Sequence, residues 1–241
     1  MKAMIFTAGL GTRLQPWTKD KPKALIEING IPMLQLQIER IKSFGFTDII
    51  INVHHFADQI IKFIKKKKNF GINISISDET NLLLDTGGGL KNVSWFFNNS
   101  LPFLLYNVDI LTDLDLKYLY DVHSKSDALS TVAVGERTSN RYLLFNKDLY
   151  LGGWKNVETK EKKIVREKET DLKPYAFSGI HIINPDIFKF IKLQGVFSII
   201  ELYLSLAKDH KIKAFVDNES FWMDLGKKDN IIEAEKLFIN N

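Results

Sequence analysis

The sequence predicts an α/β protein: a doubly wound, mostly parallel sheet joined to a smaller β-rich part. Three observations carry that expectation. Short apolar runs alternate with segments of helical period through the first half. The helical segments between them are long enough for right-handed crossovers between parallel strands. In the second half the helices thin out and hairpin signals replace them. With 241 residues, 45% of them hydrophobic, the chain can bury a sizeable core.

Taken in order, Ala3–Phe6 is a strand that stops before Gly9. Pro32 stands at a helix start, and Leu34, Ile38 and Ile41 recur at helical spacing until Gly45 closes the segment. Asp48–Val53 is a second strand, Ile60, Ile61 and Ile64 mark a second helix, Ile72–Ile76 is a third strand and Pro102–Tyr106 a fourth. Tyr142–Phe145 and Leu149–Trp154 flank Asn146-Lys147-Asp148 as a hairpin. Ile164, Tyr175–Ile183 and Ile212–Val216 are further strands, with helices near Pro185–Ile191 and Ser198–Ala207. Ser198-Ile199-Ile200-Glu201 fits a capping box. Asn230–Ile239 carries Ile231, Ala234, Leu237 and Phe238 on one helical face. With no Pro, Gly or Ser linker and no repeat, a single domain is expected over 1–241, divided as 1–135, a lobe over 136–226 and a closing helix over 227–241.

The net charge of +4 comes from 28 lysines and only 5 arginines among the 33 basic residues. The densest run, Lys65–Lys68, closes a helical pattern, where cations suit the helix dipole. No aromatic residues interleave with it, so no nucleic-acid partner is expected. The absence of cysteine excludes disulfides, thiolate metal sites and thiol nucleophiles. No apolar run approaches the roughly 18 residues of a membrane span, and Met1–Ala8 runs into a strand without a signal-peptide layout, so a cytoplasmic protein without membrane contact is expected.

The most informative stretch is Ala8-Gly9-Leu10-Gly11-Thr12-Arg13-Leu14-Gln15-Pro16, continued through Thr18 to Lys21-Pro22-Lys23-Ala24-Leu25. Its glycines and threonine let backbone amides turn inward as an anion nest, and Arg13 and Lys23 add charges that can follow a polyphosphate. It lacks the Gly-Lys-Ser/Thr of a P-loop and the third glycine of a dinucleotide fingerprint.

That loop, with Lys21-Pro22-Lys23, resembles the signature of the sugar-1-phosphate nucleotidyltransferases, the NDP-sugar pyrophosphorylases. Asp85-Thr86-Gly87-Gly88-Gly89 resembles the family's second glycine motif, Asn107-Val108-Asp109 its metal-aspartate motif, and Trp222-Met223-Asp224-Leu225-Gly226 its late Trp-Xaa-Asp-Xaa-Gly motif. Within the family, Gly87–Gly89 and Phe177-Ser178-Gly179-Ile180 are most similar to N-acetylmuramate-1-phosphate uridylyltransferases. Most members have glycine where Val108 stands, and a side chain there is expected to narrow the space beside the metal.

The resemblance implies a Rossmann-like nucleotide-diphospho-sugar transferase fold and Mg²⁺-dependent transfer from a nucleoside triphosphate, with UTP expected, to a sugar 1-phosphate. N-acetylmuramate 1-phosphate is the expected acceptor. The first 135 residues become the nucleotide-binding half and 136–226 the sugar-binding lobe with the second metal aspartate. Asp109 and Asp224 supply hard oxygen ligands for magnesium. Arg13 and Lys23 face the phosphates, with Ala8, Gly9, Gly11 and Thr12 along the triphosphate. Gly87 and Gly88 lie against the base and Asn107 near the ribose or sugar. Arg141, Glu167, Lys168, Ser178 and Gly179 are the candidates for the sugar phosphate, although Arg166-Glu167-Lys168 reads equally as a solvated loop in the charged stretch Lys160–Asp171. The partners are the two substrates, in a monomer or homodimer. The length leaves no room for the C-terminal β-helix of larger members, so acetyl transfer is not expected. Two rivals remain: a cytidylyltransferase acting on phosphocholine or another small phosphate, and a nucleotide sensor without turnover.

Other residues have plainer explanations. His54 and His55 are adjacent on an extended segment and point apart. His123, His181 and His210 lack ligand-spaced partners. Trp95-Phe96-Phe97 suits core packing at a helix end. Asp113 and Asp115 follow Asp109 closely, and Asp115 fits a helix N-cap.

Overall fold

A computed structural model describes residues 1–99, 101–166 and 168–239. The chain begins with β1 (Lys2–Phe6), β2 (Glu27–Ile28), β3 (Ile31–Pro32), α1 (Met33–Ser43), β4 (Asp48–Val53), α2 (Ala57–Lys66) and β5 (Asn73–Asp78). The middle holds α3 (Asp85–Asn92), β6 (Phe103–Asn107), β7 (Ile110–Thr112), α4 (Leu116–Ser124), β8 (Ser130–Gly135), β9 (Arg141–Phe145), β10 (Leu151–Asn156) and β11 (Lys162–Ile164). β12 (Lys173–Ile183), α5 (Ile199–Leu206), β13 (Ile212–Val216), β14 (Trp222–Asp224) and α6 (Lys228–Ile239) complete it.

These elements group into two compact units. The first comprises Met1–Leu83, Tyr106–Asp113 and Phe221–Asn241; the second comprises Leu84–Leu105 and Leu114–Ser220. This division differs from the expected break at residue 135. Strand content changes there, but the chain already passes between units at residues 83, 105, 113 and 220.

In the first unit β1, β4 and β5 are parallel in that order, with Met4 opposite Ile50 and Ile50 opposite Ser75. Ala3–Ile5 and Ile49–Ile51 are wholly buried, the unbroken apolar run of a parallel strand covered on both faces. α1 buries Leu34, Ile38 and Ile41 as its period requires, and Gly45 follows its end at φ +84. α2 buries Ile60 and Ile64 and ends on Lys65 and Lys66. β14 pairs antiparallel with β7, placing Asp224 opposite Ile110.

The second unit is mostly antiparallel. β11, β10, β9 and β12 lie side by side, β8 pairs with the later part of β12, and β13 runs parallel to β8. The expected hairpin is present as β9 and β10, but β10 starts two residues later than predicted. Leu149 sits at φ +63 in a turn where Asn146 Oδ1 accepts from the N–H groups of Asp148 and Tyr150. The helix expected from Pro185 is a 3-10 helix, Pro185–Phe190, capped by Asn184. Ser198 Oγ caps α5 by accepting from Glu201 N–H at 3.1 Å, and Asp115 caps α4 by accepting from Tyr118 N–H at 2.9 Å. Phe97 is buried and stacks on Phe103 at 3.7 Å. Trp95, expected in the core with it, is 60% exposed. No helix among the described residues is long and apolar enough to cross a membrane.

Candidate active site

The first unit gathers the loop cations and both aspartates. Gly11 adopts φ +63, and a Cβ there would stand 3.0 Å from Thr18 Cγ2 and 3.1 Å from Lys23 Cβ, so only glycine suits the turn. Thr18 Oγ1 donates to Gly11 O at 2.9 Å and ties the loop's two arms together. Thr12–Leu14 then forms one 3-10 turn and Lys23–Leu25 another. Gly9 is exposed with open space on its side-chain side.

Val108 and Asp109 form the turn between β6 and β7. The Val108 N–H donates to Phe6 O at 3.2 Å and its side chain is buried. Beneath the turn, Tyr106 OH donates to Ile110 O at 3.1 Å. Burial pushes the Tyr106 phenol well above its ordinary pKa, with Arg40 beside it pulling the other way. Opposite, Leu225 N–H donates to Asp109 O at 2.8 Å, so the β7–β14 ladder continues into the two carboxylate-bearing residues. Asn230 Nδ2 holds Asp224 O at 2.7 Å.

The side chains then converge. Lys23 Nζ donates to Asp109 Oδ2, with both side chains more than four-fifths buried. Arg13 Nη1 lies 3.8 Å from Asp224 Oδ2, with Arg13 itself 62% exposed. Gly226 is where they meet: its N–H donates to Asp224 Oδ1 at 2.7 Å. A Cβ on it would stand 2.7 Å from Arg13 Nη2, 2.7 Å from Asp224 Oδ1 and 3.2 Å from Lys23 Nζ. Two cations and the Asp224 carboxylate thus face a residue without a side chain, with Asp109 paired to Lys23; the cations suit phosphate oxygens. Asn107, at the end of β6, is half-buried, and Ala8 is buried.

The remaining candidates belong to the second unit. Gly87 and Gly88 are buried in the first turns of α3, and their N–H groups donate to Phe197 O at 2.9 and 3.1 Å. Arg141 and Lys168 are exposed, and Glu167 lies outside the described residues. Ser178 is buried, and Gly179, at φ +78, sits in the register shift of β12 against β8. Arg137 was missed by sequence reasoning. Its Nη2 donates to Phe177 O at 2.9 Å, Ala176 O at 3.3 Å and Ser178 Oγ at 3.0 Å. Burial pushes its pKa down to about 10, with Asp217 opposing. Its signal was present in Gly135-Glu136-Arg137, a cation just beyond a strand end. Gly226 and Thr18 lie within the late motif and the glycine loop, and their parts in the site come from contacts distant in sequence.

His54 Nδ1 lies 2.7 Å from Glu79 O, and His123 and His181 are buried; His123 Nδ1 meets Thr131 Oγ1, whereas His181 Nε2 has no hydrogen-bond partner among the described residues. Among the described residues no group of three or more His, Cys, Asp or Glu is placed to hold a metal.

Fold and site together define an α/β protein whose glycine loop sets Lys23 against Asp109 and Arg13 against Asp224. Solved structures share the fold. A UDP-glucose pyrophosphorylase complexed with UDP-glucose superposes with a TM-score of 0.78 at 20% identity, over 99% of this chain and 98% of that one. HddC from Yersinia pseudotuberculosis, complexed with GMP-PN, does so with a TM-score of 0.76 at 24% identity, over 98% of this chain and 99% of that one. The nucleotidyl transferase family model matches residues 2–241, and the chain belongs to that family. Mannose-1-phosphate guanyltransferase of Saccharomyces cerevisiae is 30% identical over 246 residues, covering all of this chain and 65% of that protein. The Aspergillus fumigatus enzyme of the same name is 29% identical over 245 residues with the same coverage. The chain thus spans about two thirds of the length of these curated relatives.

Proposed function

We propose that the chain transfers a nucleotidyl group from a nucleoside triphosphate to a sugar 1-phosphate. A phosphate oxygen of the sugar phosphate bonds to the α-phosphorus, the bond from that phosphorus to the bridging oxygen of the β-phosphate breaks, and pyrophosphate leaves. The observation that carries this reading is the convergence of Arg13, Lys23 and Asp224 on the vacant side of Gly226, with Asp109 held by Lys23.

Charge builds on the phosphoryl oxygens during such a transfer, so alignment and cationic stabilisation are what the protein must supply. Arg13, exposed and able to swing, serves the β- and γ-phosphates. Lys23, nearly buried beside Asp109, serves the α-phosphate or the attacking phosphate. The N–H groups of Gly9, Gly11 and Thr12 line the triphosphate, and Asn107 serves the ribose or sugar. Asp109 and Asp224 offer only carboxylate oxygens, which suits Mg²⁺, a cation that takes one or two carboxylates and fills its other positions with water and phosphate. When bound, Mg²⁺ supplies positive charge to the phosphates. The family resemblance further assigns Gly87 and Gly88 to the base and Arg141, Glu167, Lys168, Ser178 and Gly179 to the sugar phosphate; of these, Gly87 and Gly88 already spend their N–H groups on Phe197 O, and Arg137 orients Ser178.

Two substrate pairs compete. UTP with N-acetylmuramate 1-phosphate rests on Gly87–Gly89 and Phe177–Ile180. GTP with mannose 1-phosphate is favoured by the likeness of this whole chain to 65% of the length of a mannose-1-phosphate guanyltransferase. The test is pyrophosphate release by the purified protein with Mg²⁺, across the four ribonucleoside triphosphates and a panel of sugar 1-phosphates and phosphocholine. One pair is expected to exceed the rest, and Asp109→Ala is expected to abolish its turnover while leaving the circular dichroism spectrum intact. CTP with phosphocholine as the best pair points to the cytidylyltransferase. Triphosphate binding without turnover on any acceptor leaves a sensor.

A further inference from the structure

The glycine loop leaves the sheet where the ladder between strands ends, and a side chain ends it. β1 and β4 stay in register to the pair Phe6 and Asn52. At the next residue, Thr7 N–H donates to Asn52 Oδ1 at 2.9 Å, and the Thr7 hydroxyl donates to Asn52 O. Asn52 Nδ2 donates in turn to Glu79 Oε1 at 2.9 Å. Glu79 is anchored through its own backbone. Its N–H donates to Val53 O at 2.8 Å, and its carbonyl meets Leu82 N–H at 3.1 Å and His54 Nδ1 at 2.7 Å. Thr7, Asn52 and Glu79 are 4%, 3% and 3% exposed, a buried polar thread from the end of β1 across β4 to the residue after β5.

A side-chain amide has an acceptor at one end and donors at the other. Thr7 N–H requires the oxygen of Asn52, and Glu79 Oε1 requires its nitrogen. The acceptor on Glu79 therefore decides which way Asn52 faces, and the Asn52 oxygen decides where the chain turns out of β1. Ala8 and Gly9 follow at once. A fully satisfied buried network of this kind fixes one geometry, because each broken link strands a polar group away from water.

We infer that Asn52 and Glu79 are positioning residues for the glycine loop. Through Thr7, without touching a ligand, they set the direction in which the N–H groups of residues 8–12 face. The inference rests on the reading that this loop binds a triphosphate.

Three variants test it: Asn52→Asp, nearly identical in size but without the donor to Glu79; Glu79→Leu, without the acceptor; and Glu79→Gln, which keeps an oxygen in place. Two quantities are read: hydrogen–deuterium exchange of peptides covering residues 7–16 in the free protein, and calorimetric Kd for UTP and for GTP with Mg²⁺. Asn52→Asp and Glu79→Leu are expected to exchange faster in the loop and to weaken triphosphate binding by about tenfold, the scale of one stranded buried partner. Glu79→Gln is expected to stay within about twofold of the parent in both, which a requirement for charge would not produce, while the loss in Glu79→Leu is what a requirement for bulk alone would not produce. Unchanged loop exchange in folded Asn52→Asp overturns the inference, as does Glu79→Gln as impaired as Glu79→Leu. If the parent binds neither UTP nor GTP, the functional reading fails by that result, and the exchange comparison still decides the positioning role.

Discussion

Gly226 shows how a site can depend on an atom that is absent. Its Cβ position is hemmed by Arg13 Nη2, Asp224 Oδ1 and Lys23 Nζ. All three are ends of side chains, so a methyl group there displaces functional groups rather than backbone. Gly226→Ala is therefore expected to fold with little change in melting temperature but to lose about 100-fold in kcat/KM for pyrophosphate release, the penalty for misplacing reacting groups by about an ångström. Full activity in that variant would show that the convergence on Gly226 has no part in turnover. The late motif made Asp224 legible in the sequence. The reason for the glycine two residues later was not legible, because it arises from Arg13 and Lys23, which arrive from more than 200 positions earlier in the chain.

The glycines of α3 teach the opposite lesson at the scale of an element. Three consecutive glycines are poor helix formers, each costing about 1 kcal/mol relative to alanine. Packing overrides that preference. A Cβ on Gly88 would lie 2.6 Å from Gly195 O, and one on Gly87 would lie 2.7 Å from Ser198 O, so the helix can approach residues 195–198 only without side chains. Ile199 N–H donates to Thr86 Oγ1 at 2.8 Å and joins the start of α5 to α3. Gly88→Ala must move backbone, and it is expected to destabilise the protein by about 1–3 kcal/mol, read as a lower urea midpoint at unchanged slope. A stability equal to the parent would show that α3 yields at this contact. Elements with a local signature, such as β4, β13 and the Ser198 cap, were readable almost residue by residue. β8 was not read, and the β12 bulge at Gly179 depends on long-range pairing with β8 that no local pattern encodes.

For the whole molecule, the lysine-rich surface contributes little to stability. Pairs such as Lys162 with Glu169 and Lys117 with Asp121 are about half exposed, and such pairs contribute at most about 1 kcal/mol each. The pH response comes from inside. His123, bonded through Nδ1 to Thr131 Oγ1 at 2.8 Å, has its pKa pushed down to about 4 by burial, and His181, which meets Tyr203 OH at 2.7 Å, to about 3. Both fold in the neutral form, whereas the unfolded chain takes up protons near pH 6.5. Between those values the unfolded state binds more protons, so stability falls as the pH drops below 6.5 and levels off only near pH 3–4. His123 alone should cost about 2 kcal/mol between neutral pH and pH 5. Urea titrations at pH 7.5, 6 and 5 are expected to show this loss in the parent and a shallower one in His123→Gln, whose amide carries no proton to bind. Parallel pH profiles for the two proteins would place the acid sensitivity elsewhere, in the carboxylates rather than in this buried imidazole.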